Sequence, residues 1–195
     1  LLAPLGRAHE RGVVHRDIKP ENLFLVRDPA GGRASLKLLD FGLAREVQRK
    51  GPTLTGITFG TPEYMSPEQA MSAKKAGLPS DVWAIGVLLY ELLTGFHPFD
   101  GETPNAIMVA AIKDPFVPVA ERAPQVPAAV AKVVEACLEK EPEKRPADAR
   151  VVGRLLETAL ADVTLADARP ARTHLDVARE REEADALAAG EGPTE

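Results

Sequence analysis

Hydrophobic residues in the first part of the chain follow the spacings of one helix and one β-hairpin. Residues 1–9 carry leucines and other apolar side chains at helical spacing, and Gly12 follows as a helix stop signal. Two short apolar runs, Leu23–Val26 and 36–39, flank a turn-forming segment at 27–33. This pattern predicts a hairpin of two strands after the amino-terminal helix.

The second half of the chain has the pattern of a helical domain. Between residues 81 and 93 the positions are apolar nearly all round, which predicts a helix that is buried on most faces and ends at Gly95. Further helices are predicted near 103–112, 127–140 and 147–163, with an irregular, proline-rich span between the first two. Residues 43–62 lack periodicity and predict a long loop. The expected fold is therefore mainly α with one small hairpin.

The last thirty residues differ in composition from the rest. Large apolar residues become rare after about residue 165, and the segment 179–185 is almost continuous charge. Such a composition predicts a charged helical or disordered tail. The expected organisation is one domain over residues 1–163 and a tail over residues 164–195.

Composition and charge exclude several classes of function. A net charge of −5 provides no basic face for nucleic acid, and the longest apolar run, 82–90, is too short to span a bilayer. The single cysteine, Cys137, excludes an internal disulfide and fits a reducing compartment, so a cytoplasmic location is expected. Cys137 lies in an apolar helical pattern and is expected to be a buried hydrophobic residue. Because Leu1 is not an initiator methionine, the chain is interpreted as a fragment.

The candidate chemistry is concentrated in His-Arg-Asp-Ile-Lys-Pro-Glu-Asn, residues 15–22. Asp17 can orient a hydroxyl and accept its proton, and Lys19 can approach a phosphate as a point charge. Asn22 and, eighteen residues later, Asp40 offer oxygen ligands to a hard cation. Each of these residues alone is most often a turn residue. Together, in this order and spacing, they indicate phosphoryl transfer.

The octapeptide, followed by Asp40-Phe41-Gly42, resembles the catalytic loop and magnesium-binding triplet of protein kinases. The resemblance implies that ATP and Mg²⁺ are the cofactors and that Asp17 is the catalytic base. It further implies that Lys19 contacts the transferred phosphate and that Asn22 and Asp40 hold the metal. The implied fold is a kinase-like C-terminal lobe whose small β-hairpin bears the catalytic and magnesium-binding loops.

More of the chain shares this resemblance. Residues 60–68 resemble the end of a kinase activation loop, and in that family the residues that match Glu68 and Arg145 form a buried ion pair. Asp81 and Gly86 match a buried helix whose Asp holds the backbone of the catalytic loop. His15, Phe41 and Gly42 are assigned structural roles, His15 as a histidine bonded to neighbouring backbone.

Other residues indicate the subclass and its regulation. Lys19 and Thr61 occupy positions where the sequence resembles serine/threonine kinases, and Thr61 is counted with the catalytic residues. The Ser-Pro-Glu-Gln motif resembles the bacterial members of that group. Arg16 resembles the arginine that pairs with a phosphorylated activation loop. The candidate acceptors are Thr53, Thr55 and Thr58, with Thr53 and Thr55 at the spacing of bacterial relatives.

Several features of the family do not occur in these residues. There is no Gly-x-Gly-x-x-Gly loop and no Val-Ala-x-Lys strand before the catalytic loop. The chain is therefore expected to be the C-terminal lobe of a kinase acting on Ser and Thr of proteins, inactive without its upstream lobe. An apolar patch around Leu23, Leu25 and Phe41 is expected to face that lobe. A pseudokinase or scaffold, and a short interaction protein beginning near Leu1, remain alternatives.

Overall fold

A computed structural model describes residues 1–26, 34–39 and 61–161. Within these ranges the protein is mostly helical, with one small antiparallel hairpin. The helices are α1 (Leu2–Glu10), α2 (Pro67–Met71), α3 (Leu78–Thr94), α4 (Pro104–Lys113), α5 (Val119–Arg122), α6 (Ala128–Cys137) and α7 (Ala149–Ala161). The strands are β1 (Leu23–Val26) and β2 (Ser35–Leu38), and short 3₁₀ turns occupy Pro20–Asn22, Pro62–Tyr64, Ala73–Lys75 and Pro142–Lys144. None of the described helices combines the length and apolar content needed to cross a bilayer.

Helix α3 is the centre of the core, as its all-round apolar pattern predicted. Trp83 and Val87 are fully buried, and the Trp83 ring stacks on Phe99 with 5.4 Å between centroids. At Gly86 a Cβ atom would lie 2.7 Å from Cys137 Cβ, so the missing side chain lets α6 approach α3 closely. Cys137 is itself completely buried, which confirms its predicted place in the core. Each fully buried aliphatic side chain contributes about 1.5–3 kcal/mol of transfer free energy.

The helix stop signals are confirmed. Gly95 follows α3 with a left-handed φ of 76°, and its N–H donates to Glu91 O at 2.8 Å. Gly12 has a φ of 70° after α1, where a side chain would be disfavoured. Helix α4 begins at a true cap, because the Thr103 hydroxyl accepts the Ala106 N–H at 3.1 Å.

The hairpin is confirmed, with one residue of difference at its second strand. Leu23 pairs with Leu38 and Val26 with Ser35, so the strand covers 35–38 instead of 36–39. Leu23 packs against the core and is only partly exposed, so it contributes less than Leu25 to the predicted open patch. Leu25 is 63% exposed, as expected. Phe41 lies outside the described residues.

One predicted helix is shorter than expected, and the proline-rich span contains a helix that was not predicted. The helix predicted over 127–140 ends at Cys137, and the carbonyls of Glu139 and Lys140, which follow it, accept hydrogen bonds from the Arg145 guanidinium at 2.7 and 3.0 Å. The span around the prolines contains α5, whose first residue, Val119, is fully buried. Pro118 stands just before that helix, where its missing N–H costs nothing. The predicted tail, residues 164–195, lies outside the described residues.

Candidate active site

The backbone of the 15–22 loop is held by Asp81, in the first turn of α3. Asp81 Oδ2 accepts the His15 N–H and Oδ1 accepts the Arg16 N–H, both at 2.7 Å, and the carboxylate is buried. Arg16 has a left-handed φ of 70°, a conformation that costs about 1–3 kcal/mol for a residue with a side chain. Hydrogen bonds to a charged acceptor contribute about 1.5–3 kcal/mol each. The two bonds to Asp81 therefore offset the strain and fix the loop.

His15 joins this loop to the end of β2. Its Nε2 lies 2.8 Å from the Leu39 carbonyl oxygen, and its Nδ1 accepts the Asp17 N–H at 3.3 Å. Since a carbonyl can only accept, the ring proton is on Nε2. The prediction that His15 bonds to nearby backbone is confirmed.

The side chains of Lys19 and Asn22 converge on the Asp17 carboxylate. Lys19 Nζ lies 3.4 Å from Asp17 Oδ2, and Asn22 Nδ2 donates to Asp17 Oδ2 at 3.1 Å and to its main-chain oxygen at 2.6 Å. Within the described part of the chain no hydrogen bond reaches Asp17 Oδ1. That oxygen can receive a hydroxyl, because the side chain is 32% exposed.

The orientation of Asn22 suits a cation ligand. Both of its amide hydrogens go to Asp17, so the side-chain carbonyl oxygen is the atom that can bind a hard cation. The Leu39 N–H donates to the Asn22 main-chain oxygen at 2.9 Å, which joins the end of β2 to the loop. Asp40, the residue after Leu39, was predicted to supply the second ligand. It lies outside the described residues, as do Phe41 and Gly42, and their roles remain predictions.

Of the predicted threonines, only Thr61 lies among the described residues. Thr61 precedes the turn at Pro62–Tyr64, and its main-chain oxygen accepts the Tyr64 N–H at 3.2 Å. Among the described contacts, its side chain makes no hydrogen bond to Asp17 or Lys19. The predicted phosphate acceptors Thr53, Thr55 and Thr58 fall outside the described residues.

The capping box of α2 includes Gln69, which also contacts the 15–22 loop, and neither feature was predicted from the sequence. Ser66 Oγ accepts the Gln69 N–H at 3.4 Å, while Gln69 Oε1 accepts the Ser66 N–H at 3.2 Å. The Gln69 amide then donates to the Arg16 carbonyl at 3.2 Å. Ser-x-x-Gln is a known signature of a helix start and could have revealed this short helix. The contact with Arg16 needed the folded chain.

Glu68 and Arg145 form the predicted ion pair. Arg145 Nη1 donates to Glu68 Oε1 and Nη2 donates to Oε2, each at 2.9 Å, and both residues are buried. The Ser80 hydroxyl donates to Glu68 at 2.7 Å. Burial alone would raise the pKa of Glu68, but the hydrogen bonds from Arg145 and Ser80 outweigh it and hold the pKa below its usual value. The predicted contact is confirmed.

Tyr64 fixes the same segment to α3 by a contact that sequence patterns did not indicate. Its hydroxyl donates to the buried Glu91 carboxylate, and His97 packs edge-on against its ring at 5.7 Å. Burial is the main cause that raises the pKa of the Tyr64 hydroxyl, and the hydrogen bond to Glu91 is the next. The hydroxyl therefore stays a neutral donor. Residues 61–66 are thus anchored beside the loop that carries Asp17.

Comparison with known proteins agrees with this geometry. Residues 1–156 match the family described as protein kinase domain. The chain is 43% identical to serine/threonine-protein kinase Pkn1 of Myxococcus xanthus over 86% of this chain and 24% of that protein. It is 39% identical to serine/threonine-protein kinase PknL of Mycobacterium tuberculosis over 87% of this chain and 41% of that protein. It is 38% identical to a probable serine/threonine-protein kinase of Clostridium acetobutylicum over 72% of this chain and 20% of that protein.

The chain thus spans about a fifth to two fifths of the length of these curated relatives. The resemblance to bacterial serine/threonine kinases that the motifs suggested is confirmed. Because the match extends over most of its residues, the chain belongs to the protein kinase domain family.

Proposed function

We propose that a protein carrying this chain transfers the γ-phosphoryl group of ATP to Ser and Thr hydroxyls of protein substrates. The observation that carries the proposal is the convergence of Lys19 and Asn22 on the Asp17 carboxylate. Phosphoryl transfer depends on positioning and charge neutralisation, and these three side chains supply both. The names of the related serine/threonine-protein kinases and the presence of Lys19 and Thr61 favour Ser and Thr as acceptors.

On this basis we propose a part for each side chain. Asp17 Oδ1 would accept a hydrogen bond from the substrate hydroxyl and take its proton as the oxygen–phosphorus bond forms and the bond to ADP breaks. Lys19, 3.4 Å from Asp17 Oδ2, keeps that oxygen occupied and would face the transferred phosphoryl group. Asn22 and Asp40 would hold Mg²⁺, which supplies neutralisation of phosphate charge when it is bound.

Phosphate incorporation by the full-length protein tests this function. With ATP, Mg²⁺ and a mixed set of Ser-, Thr- and Tyr-containing peptides, acid hydrolysis of the products is expected to yield phosphoserine and phosphothreonine. Peptides in which Ser and Thr are replaced by Ala serve as the control. Phosphotyrosine as the sole product, or no incorporation under conditions where the protein is folded, would contradict the proposal.

We infer that residues 1–163 form the C-terminal lobe of the kinase domain and that residues 164–195 are a tail. The exposed apolar side chains of the hairpin support this, since Leu25 is 63% exposed and its cross-strand partner on the same face, Leu36, is 37% exposed. A contiguous apolar surface of this kind favours a covering partner, and an upstream ATP-binding lobe is the partner that the proposed chemistry requires. Without that lobe, residues 1–195 are proposed to be inactive. A cytoplasmic location is proposed on the single buried Cys137.

Phosphorylation of Thr53 or Thr55 is proposed to activate the enzyme through Arg16. The Arg16 main chain is held on both sides, by Asp81 and by Gln69, and no described carboxylate pairs with its guanidinium. A phosphate would add the missing anion through charge-assisted hydrogen bonds. The double variant Thr53→Ala/Thr55→Ala is therefore expected to lose most of its activity.

Mass spectrometry of the active protein provides the direct measurement. The peptide covering 50–61 should carry phosphate in active wild type, and phosphatase treatment should lower the activity as the phosphate is removed. The exposed Thr158→Ala change in α7 is the matched control and should leave the rate unchanged. A fully active enzyme with an unmodified 50–61 peptide would rule the mechanism out.

A further inference from the structure

His9 in α1 is a buried histidine that uses both of its ring nitrogens. Its Nε2 lies 3.0 Å from Asp81 Oδ2, and its Nδ1 accepts the Ala149 N–H at 3.2 Å, with the side chain fully buried. A backbone N–H can only donate, so Nδ1 carries no proton. The imidazole is therefore neutral, and its one proton is on Nε2, directed at Asp81.

The contact with Asp81 leads directly to the catalytic loop. Asp81 Oδ2 accepts both the His9 Nε2–H and the His15 N–H, while Oδ1 accepts the Arg16 N–H. Without His9, the carboxylate would lose one of its three donors and one restraint on its rotation. The strained φ of Arg16 depends on the position of that carboxylate. Small displacements of a catalytic group can be costly in rate, because the reaction depends on alignment.

The contact with Ala149 ties the same ring to the start of α7. The first N–H groups of a helix have no partner within it. In α7 the Asp148 carboxylate accepts the Val151 N–H at 2.8 Å, and His9 accepts that of Ala149. Through one imidazole, the beginning of α7 is thus connected to Asp81, the residue that holds the backbone of the catalytic loop.

We propose that His9 is a positioning residue for phosphoryl transfer, which in its Nε2-protonated neutral form fixes Asp81 and couples the catalytic loop to the start of α7. The proposal rests on the proposed kinase function for its effect on rate. Its structural part, the tautomer and the rigidity of the loop, can be measured without any turnover.

Two substitutions separate the two contacts of the ring. In His9→Gln the amide nitrogen can reach the place of Nε2 and keep the bond to Asp81. In His9→Asn the shorter amide can reach the place of Nδ1 and accept from Ala149, but it cannot reach Asp81. The matched control is Arg150→Gln, since Arg150 and Glu10 form an exposed ion pair that joins the same two helices without touching Asp81.

In the full-length kinase, His9→Asn should lower kcat by about tenfold or more while KM for ATP and peptide stays within about twofold, because alignment rather than binding is lost. His9→Gln should recover kcat to within about threefold of wild type, because the Asp81 donor is restored. Arg150→Gln should behave as wild type. Equal losses in His9→Asn and His9→Gln would overturn the proposal, because they would indicate a purely structural role.

Hydrogen exchange and ¹⁵N NMR decide the proposal independently of activity. Amides of residues 13–22 should exchange faster in His9→Asn than in His9→Gln, and unchanged exchange in both would overturn it. In wild type labelled with ¹⁵N-histidine, the His9 ring should give the signature of an unprotonated Nδ1, and a protonated Nδ1 would equally overturn it. This wild-type measurement holds even if a variant fails to fold. Absence of transfer by wild type would count against the proposed function alone, since both spectroscopic readouts still decide the role of His9.

Discussion

Replacing Asp17 by Asn in the full-length protein is expected to lower kcat by about 10²–10⁴-fold, the usual contribution of a positioned general base. The substitution keeps the size and planarity of the side chain, so Asn22 can still donate to its oxygen. The amide cannot take the proton of the hydroxyl, and it removes the negative charge that lies 3.4 Å from Lys19 Nζ. Initial rates with a peptide substrate at saturating ATP measure the effect.

The matched control for this variant is Asp100→Asn. Asp100 is an exposed aspartate that accepts the neighbouring Gly101 N–H, and among the described residues it makes no hydrogen bond or ion pair with residues 15–22. Its substitution should leave kcat unchanged, and both variants should melt close to wild type. An Asp17→Asn enzyme that works at nearly the wild-type rate would show that Asp17 is not the base.

The parts of the fold that were predicted from sequence are those with a long, regular pattern. Helix α3 is buried on nearly all faces, because it is apolar on nearly all faces and has little polar surface to direct toward water. Helices α2 and α5 have five and four residues, too few to establish a hydrophobic period. Their starts depend on local chemistry, on the Ser66 capping box in one case and on Pro118 in the other.

In the candidate site, too, contacts between residues close in sequence could be predicted and contacts between distant residues could not be predicted from a local pattern. Asp17, Lys19 and Asn22 lie within six positions of one another, and their convergence could be predicted from the motif. The contacts of His9 join residues 72 and 140 positions away and follow no period, so only the folded chain reveals them. Glu68 and Arg145 are 77 positions apart, and their contact could be predicted through resemblance alone.

Replacing Arg145 by Met is expected to lower the free energy of unfolding by about 3–5 kcal/mol, because it strands the buried Glu68 carboxylate. The loss extends beyond the ion pair, since the guanidinium also donates to three main-chain carbonyls and lies 4.9 Å from the centroid of the Trp83 ring. Urea unfolding followed by tryptophan fluorescence measures it, with Trp83 as the single tryptophan of this chain.

The ion pair also predicts how stability depends on pH. The pKa of Glu68 is lower in the folded protein than its ordinary value, so the folded state binds the proton less readily than the unfolded state does. The stabilisation is therefore complete above the ordinary pKa of glutamate and is lost as the pH falls toward the lowered value. In Glu68→Gln this part of the acid dependence should disappear.

A double-mutant cycle separates the pair from its surroundings. Removing both charges, as in Glu68→Leu/Arg145→Met, strands neither of them, so the double variant should be clearly more stable than the sum of the single losses implies. Lys144→Met is the matched control, because Lys144 pairs with Glu141 at 3.3 Å on the surface, where both side chains are more than half exposed. That change should leave the unfolding midpoint where it is. Strict additivity of the two core substitutions would mean that Glu68 and Arg145 are not energetically coupled.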